Sequence, residues 1–193
     1  HASRAAFARR EAAIQREPLT PELLVRMAWD VTWPHDRLVF GASSLVRIAD
    51  SVVPGKPIRA YSNRGVAGID GNVATAQGIA VAARSTAESA AGVTRLLLGD
   101  LALAYDASSL GLLDGATQVI VSNNRGGRIF EDLPVKQSAN PDHFEQVMLT
   151  PQNVDFEALA AAYNIDYRLV ATRGELASAL TEIGRPILVE ARF

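Results

Sequence analysis

Leu96–Phe130 reads LLLGDLALAYDASSLGLLDGATQVIVSNNRGGRIF. Two apolar runs in and beside it, Arg95–Leu98 and Gln118–Val121, are short and bounded by turn formers, as buried parallel strands are. Each ends in a polar group: Gly99-Asp100 after the first, Asn123-Asn124-Arg125-Gly126-Gly127 after the second. In open parallel sheets, ligands bind just beyond the carboxyl ends of the strands. That rule predicts Asp100 and Asn124 side by side, although 24 positions separate them. A carboxylate and an amide oxygen, with glycines baring backbone carbonyls, suit a hard cation such as Mg²⁺. Magnesium holds phosphate oxygens, and glycine lets a pyrophosphate approach the backbone.

Outward from this stretch, the chain alternates strand and helix. Thr20-Pro21-Glu22 has the signature of a helix start, with Thr as N-cap, Pro in the first turn and an acid behind it. The helix runs through Leu23, Leu24, Met27 and Ala28 and stops before Pro34, with Trp29 and Trp33 expected to pack. Arg37–Phe40 is a strand, Leu45–Val52 a helix, Ile58–Tyr61 a strand and Asn72–Arg84 a small-residue helix. Ser85–Gly92 is expected as a surface loop. Glu131–Thr150, with Pro134, Asn140 and Pro141, reads as an irregular, mobile excursion over the site. Asp155 caps a helix over Phe156–Tyr163; Asp166–Val170, Gly174–Ile183 and Pro186–Glu190 follow as strand, helix and strand. Six strands with intervening helices predict a doubly wound, mostly parallel α/β sheet with helices on both faces. Residues 1–19 are expected as a helical linker or tail cut from something longer, with His1 a candidate tag remnant, and residues 20–193 as one domain.

Composition removes several function classes. A chain of 193 residues, 48% hydrophobic, can bury one core. A net charge of −2 supplies no basic field for nucleic acid or an anionic membrane. With no cysteine there is neither a disulfide nor a thiolate metal site, which fits a cytoplasmic protein. No apolar run reaches membrane-spanning length, and no signal-peptide hydrophobic region opens the chain.

Gly99-Asp100 followed by Asn123-Asn124 resembles the thiamine diphosphate enzyme motif. The resemblance implies Mg²⁺, with Mn²⁺ as a substitute, held by the Asp100 and Asn124 side chains and the Gly126 carbonyl. Three further strings narrow it: Gly41–Arg47 (GASSLVR), Tyr61–Gly71 (YSNRGVAGIDG) and Asn123–Phe130 (NNRGGRIF). From Thr20 onward the chain is similar to the C-terminal, pyrophosphate-binding domain of the 2-succinyl-5-enolpyruvyl-6-hydroxy-3-cyclohexene-1-carboxylate synthases of menaquinone biosynthesis. Those transferases decarboxylate 2-oxoglutarate on the cofactor and add the carbanion to isochorismate.

The resemblance implies cofactor contacts from Ser43, Gly68, Ile69, Gly99, Asp100, Leu101, Ala102, Asn124, Gly126 and Gly127. It implies substrate contacts from Ser43, Arg47, Arg64, Ile129, Phe130 and Leu133. Arginine suits substrates with several carboxylates, because its planar fork binds them bidentately. Read without the resemblance, Arg47 is a helix-surface charge, Ser43 a helix cap and Ile69 core. Ile129, Phe130 and Leu133 are then the packing of a short helix. Arg64 is harder to place that way, since a strand-end loop has little structural need for a guanidinium. Asp70 and Asp106 read as helix caps or loop-backbone acceptors, and His35 and His143 as solvated loop residues.

Departures exist. The Asp100-to-Asn124 gap is shorter than usual in that family, and Arg125 and Arg128 stand where uncharged residues are expected. Arg128 is left as a carboxylate contact or a solvated charge. The family's activating glutamate comes from a separate N-terminal, pyrimidine-binding domain of a facing subunit in a homo-oligomer. Nothing in these residues resembles that domain, so the isolated chain is expected to be inactive. Alternatives are another thiamine diphosphate 2-oxoacid decarboxylase or acetohydroxyacid-type synthase, and a non-catalytic binding module of the same fold. A nicotinamide-dependent Rossmann enzyme is disfavoured, because no Gly-x-Gly-x-x-Gly follows the first strand.

Overall fold

Continuous apolar runs are stable as strands only where both sheet faces are covered, and the chain supplies helices for both. The computed structural model describes residues 16–63, 68–86 and 90–193. Six parallel strands form one sheet: β1 (Arg37–Phe40), β2 (Arg59–Ser62), β3 (Thr94–Gly99), β4 (Thr117–Asn123), β5 (Asp166–Val170) and β6 (Ile187–Arg192). Their order across the sheet is β2-β1-β3-β4-β6-β5. The main helices are α1 (Pro21–Asp30), α2 (Ser44–Val52), α3 (Asn72–Arg84), α4 (Asp100–Tyr105), α7 (Phe156–Ala162) and α8 (Arg173–Leu180). Two single turns, α5 (Val135–Ser138) and α6 (Pro141–Phe144), lie between α4 and α7.

Successive side chains of the strands point to opposite faces and, except in the exposed β2, feed two cores. Leu38, Phe40, Leu97, Ile120 and Val189 pack under α1, α2 and α8. Val39, Leu96, Leu98, Val119, Val121 and Leu188 pack under α3, α4 and α7. The doubly wound α/β reading holds. α1 is capped as expected, with Thr20 Oγ1 accepting the Leu23 N–H at 3.2 Å.

Several boundaries move. β2 starts one residue later than expected, and β6 runs to Arg192. α8 starts at Arg173 because Thr172 and Glu175 form a capping box ahead of Gly174. Trp33, expected to pack, is 61% exposed, with the Lys56 ammonium 5.9 Å from its ring. The Glu131–Thr150 segment is not irregular: it forms α5, α6 and a π-type turn over Glu145–Leu149. Residues 1–15 of the expected tail, residues 87–89 of the expected surface loop, and Arg64 lie outside the described residues. Leu19, placed in the linker, is buried and donates its N–H to the Ala171 carbonyl at 3.0 Å.

At the amino ends of the strands, buried Asp36 accepts the Trp33 and Val93 N–H groups at 2.9 and 2.8 Å and pairs with Arg95 at 3.1 Å. Among the described residues no helix is long and apolar enough to cross a membrane.

Phe156, fully buried beneath the α3/α4 face, is expected to cost about 3–5 kcal/mol on replacement by Ala. Tyr105→Ala, at a 71% exposed position, is expected to cost under about 0.5 kcal/mol. Denaturant titration of the two variants checks the contrast.

Candidate functional site

From β1 the chain runs one way across the sheet to β2, then crosses back over β1 to β3 on its other side. The crevice between β1 and β3 is therefore the topological switch point, where doubly wound sheets bind ligands. A cavity of about 500 Å³ opens there, walled by the loop after β1, the start of α2, the end of β3 with the first turn of α4, and the loop after β4.

The β1 side is Gly41-Ala42-Ser43. A Cβ on Gly41 would come within 3.0 Å of the Leu98 Cβ, so the residue type lets this loop lie against β3. Ser43 has φ 135° and ψ −142°, a conformation that L residues with side chains rarely adopt, and its hydroxyl does not cap α2. Its carbonyl accepts a hydrogen bond from Arg47 Nη1 at 2.7 Å, which brings the exposed guanidinium to the cavity wall.

β3 and β4 pair in register from Thr94↔Thr117 to Gly99↔Ser122, so the next residues of both strands emerge together. Asp100 is buried beneath the cavity. Its Oδ1 accepts the Leu101 N–H at 2.9 Å and its Oδ2 the Gln152 amide at 2.8 Å. Burial pushes its carboxyl above the ordinary range, opposed by the Gln152 amide and the Leu101 and Gly126 N–H donors. A cation bound there would favour the ionised form.

The two asparagines divide the work. Asn123 is structural: its Nδ2 donates to Glu190 Oε1 at 2.7 Å and its Oδ1 accepts the Arg125 N–H at 3.0 Å. Asn124 lines the cavity, and its side chain makes no hydrogen bond among the described residues.

Gly126 has φ 141°, and a Cβ there would lie 2.4 Å from the Leu149 carbonyl oxygen. The Gly127 N–H donates to that same oxygen at 2.6 Å, which docks the π-type turn on the loop. Arg125 takes a left-handed conformation (φ 64°). Arg128, left open between substrate and solvent, braces the loop: its Nε donates to the Asn124 carbonyl at 2.8 Å and its Nη1 to Glu131 at 3.1 Å.

Most of the sequence-predicted residues therefore meet. Ser43, Arg47 and Ile69 line the cavity from one side, Gly99 to Ala102 its floor, and Asn124, Gly126, Gly127, Ile129 and Phe130 the other. Leu133 and Gly68 do not line it: Leu133 is 40% exposed one turn beyond Phe130. Asp106 caps α3 from afar, accepting the Val73 N–H at 2.6 Å. Sequence reasoning missed Glu22 and Asp132 at the cavity and Gln152 beneath it. Glu22 carried a signal only as an acid in a helix first turn, and Gln152 carried none.

Glu190, fully buried in β6, anchors the far side of Asn123. Burial pushes its carboxyl up, but donation from Arg192 at 2.6 Å, from Tyr167 at 2.5 Å and from Asn123 outweighs that and holds it below the usual glutamate value of 4.5. Burial and Glu190 in turn push the Tyr167 phenol up.

Asp100, Asn124 and the Gly126 carbonyl could hold a hard cation with open positions for phosphate oxygens. Among the described residues no three or more His, Cys, Asp or Glu side chains gather to hold a metal, so such a site would use one carboxylate with neutral oxygens.

No family model matches the chain. It is 49% identical over 195 residues to the 2-succinyl-5-enolpyruvyl-6-hydroxy-3-cyclohexene-1-carboxylate synthase of Clavibacter michiganensis subsp. michiganensis, covering 98% of this chain and 33% of that protein. To the synthase of the same description from Leifsonia xyli subsp. xyli it is 51% identical over 185 residues, covering 91% and 31%. The chain thus spans about a third of the length of the curated relatives it matches. Among solved structures, benzoylformate decarboxylase from Polynucleobacter necessarius superposes with a TM-score of 0.72 at 20% identity, covering 92% of this chain and 33% of that one, a likeness of fold.

Two outcomes follow from the geometry. Gly126→Ala combines a disfavoured φ with a clash against backbone, and should cost about 1–3 kcal/mol. Gly99→Ala, where an added Cβ meets nothing within 4 Å, is the denaturation control and should cost less. Because the native Glu190 carboxyl is held low, the folded state binds fewer protons than the unfolded one below about pH 5. Stability should fall as pH drops from about 5 to 3, and Glu190→Gln should flatten that fall while lowering stability at pH 7. Urea titrations across pH measure both.

Proposed function

We propose, for a chain that belongs to the 2-succinyl-5-enolpyruvyl-6-hydroxy-3-cyclohexene-1-carboxylate synthase family, that it is the C-terminal domain anchoring thiamine diphosphate and Mg²⁺ in that cytoplasmic, homo-oligomeric enzyme. One observation carries the reading. Asp100, Asn124 and Gly126 share a single cavity at the sheet's switch point with Ser43, Arg47 and Ile69. The donor set fits the group: all three candidate cation ligands are hard oxygens, as Mg²⁺ requires, and the Asn124 amide is uncommitted among the described residues.

When bound, thiamine diphosphate supplies the electron sink for decarboxylating 2-oxoglutarate before addition to isochorismate. The chain's own residues bind and orient. Asp100, Asn124 and the Gly126 carbonyl hold the cation, and the backbone of Gly99–Ala102 and Gly127 borders the pyrophosphate. Ile69 props the cofactor from the apolar side. Arg47 pairs with substrate carboxylate, as Arg64 does in this reading, and Ser43 lies beside cofactor and substrate. Ile129 and Phe130 form an apolar wall that keeps water away and strengthens the nearby charge interactions. The activating acid belongs to the N-terminal domain of the facing subunit.

The test uses the full-length synthase with thiamine diphosphate and Mg²⁺, following 2-oxoglutarate consumption with and without isochorismate. Turnover should depend on isochorismate. It should fall about tenfold to a hundredfold in Arg47→Ala, the worth of a charge-assisted contact, and further in Asp100→Ala. The isolated 193-residue chain should show no turnover. Consumption of pyruvate in place of 2-oxoglutarate would overturn the substrate assignment and keep the cofactor site.

A further inference from the structure

Gln152 lies in the non-helical stretch ahead of α7, 52 positions from Asp100 and 29 from Asn123 in the chain. Its amide is held at both ends. Oε1 accepts the Val154 N–H at 2.7 Å, which forces the amine to face the other way. Nε2 then donates to Asp100 Oδ2 at 2.8 Å and reaches Asn123 Oδ1 at 3.3 Å. One side chain thereby bridges the first residue of α4, just past β3, to the last residue of β4.

Asp100 is gripped at both oxygens, by Gln152 on one and the Leu101 N–H on the other. These bonds fix the plane of the carboxylate. Asn123 is gripped as firmly, between Gln152, the Arg125 N–H and Glu190. Mg²⁺ demands near-ideal octahedral geometry, so a ligand that must be ordered on binding costs affinity. An amide supplies that order without adding a positive charge to compete with the cation, as a lysine would.

We propose that Gln152 is a positioning residue for the cation site, holding the Asp100 carboxylate and the Asn123–Asn124 loop in the geometry a divalent metal–pyrophosphate ligand requires. The inference rests on the reading of Asp100, Asn124 and Gly126 as cation donors. It gives the segment following the excursion a place in the site, although Gln152 is not among the residues lining the cavity.

The experiment uses the full-length synthase with thiamine diphosphate and Mn²⁺ as the metal probe, read by electron paramagnetic resonance. Gln152→Met and Gln152→Ala should raise the Mn²⁺ dissociation constant about tenfold to a hundredfold, the usual effect of losing a partner that orients a metal ligand. The spectrum of the bound ion should change as well. Metal-free melting should stay within about 3 °C of the unsubstituted enzyme, since Gln152 is only half-buried. Unchanged Mn²⁺ affinity in both variants would overturn the positioning role and leave the cation site standing. Weakened affinity with a matching loss of metal-free stability would overturn it too, making Gln152 a packing residue. Failure of the unsubstituted enzyme to bind Mn²⁺ with thiamine diphosphate would remove the cation site and the inference together.

Discussion

Everything at the candidate site depends on the in-register parallel pairing of β3 with β4. Gly99 sits opposite Ser122, so a carboxylate from one strand end and an asparagine pair from the next leave the sheet at the same level. A slip of one residue would turn each strand's side chains to the wrong face, moving Leu97 and Ile120 out of one core and Leu96 and Val119 out of the other. Two cores therefore enforce a register whose consequence lies at their margin, in a cavity that one core reaches through Leu45 and the other through Ala102.

Around that frame the loops are held by polar contacts rather than by packing. Glu190 is buried beside the site with three partners, and Asp36 is buried at the opposite ends of the strands with its own. Neither carboxylate would be tolerated in the interior unpaired. Their placement differs in purpose. Asp36 ties strand starts to each other, whereas Glu190 ties a strand end to the loop that carries Asn124. Gly126 and Gly127 complete the arrangement, because residues without side chains let the backbone carbonyls of Leu149 and Met148, respectively, come so near.

The sheet was legible because apolar runs alternating with amphipathic stretches admit few other folds. β1, β5 and α3 fall where the pattern places them. The floor of the site was legible through Gly99-Asp100 and Asn123-Asn124 at strand ends. Less was readable where tertiary contacts decide. Thr172 caps α8 through a reciprocal bond with Glu175, and the apolar pattern starting at Gly174 concealed it. Trp33 has the composition of a core residue but follows α1 into solvent. Glu131–Thr150 has the composition of a loop, yet closes into short helical turns docked on Gly127. Gln152 acts across 52 positions on a carboxylate, and nothing local marks such a contact.

The strand order carries a consequence for how the sheet comes together. β6 inserts between β4 and β5, which precede it in the chain. Until Ile187–Arg192 arrives, β4 has an unsatisfied edge in the middle of the future sheet, with Val119, Ile120 and Val121 along it. No neighbouring strands here can zip up as a local hairpin, so each pairing waits for a crossover to close, and such topologies fold slowly. A chain emerging from the ribosome would hold that sticky edge open through the synthesis of β5 and α8. The interval before β6 docks is when this protein is most exposed to mispairing with other chains and most in need of a chaperone.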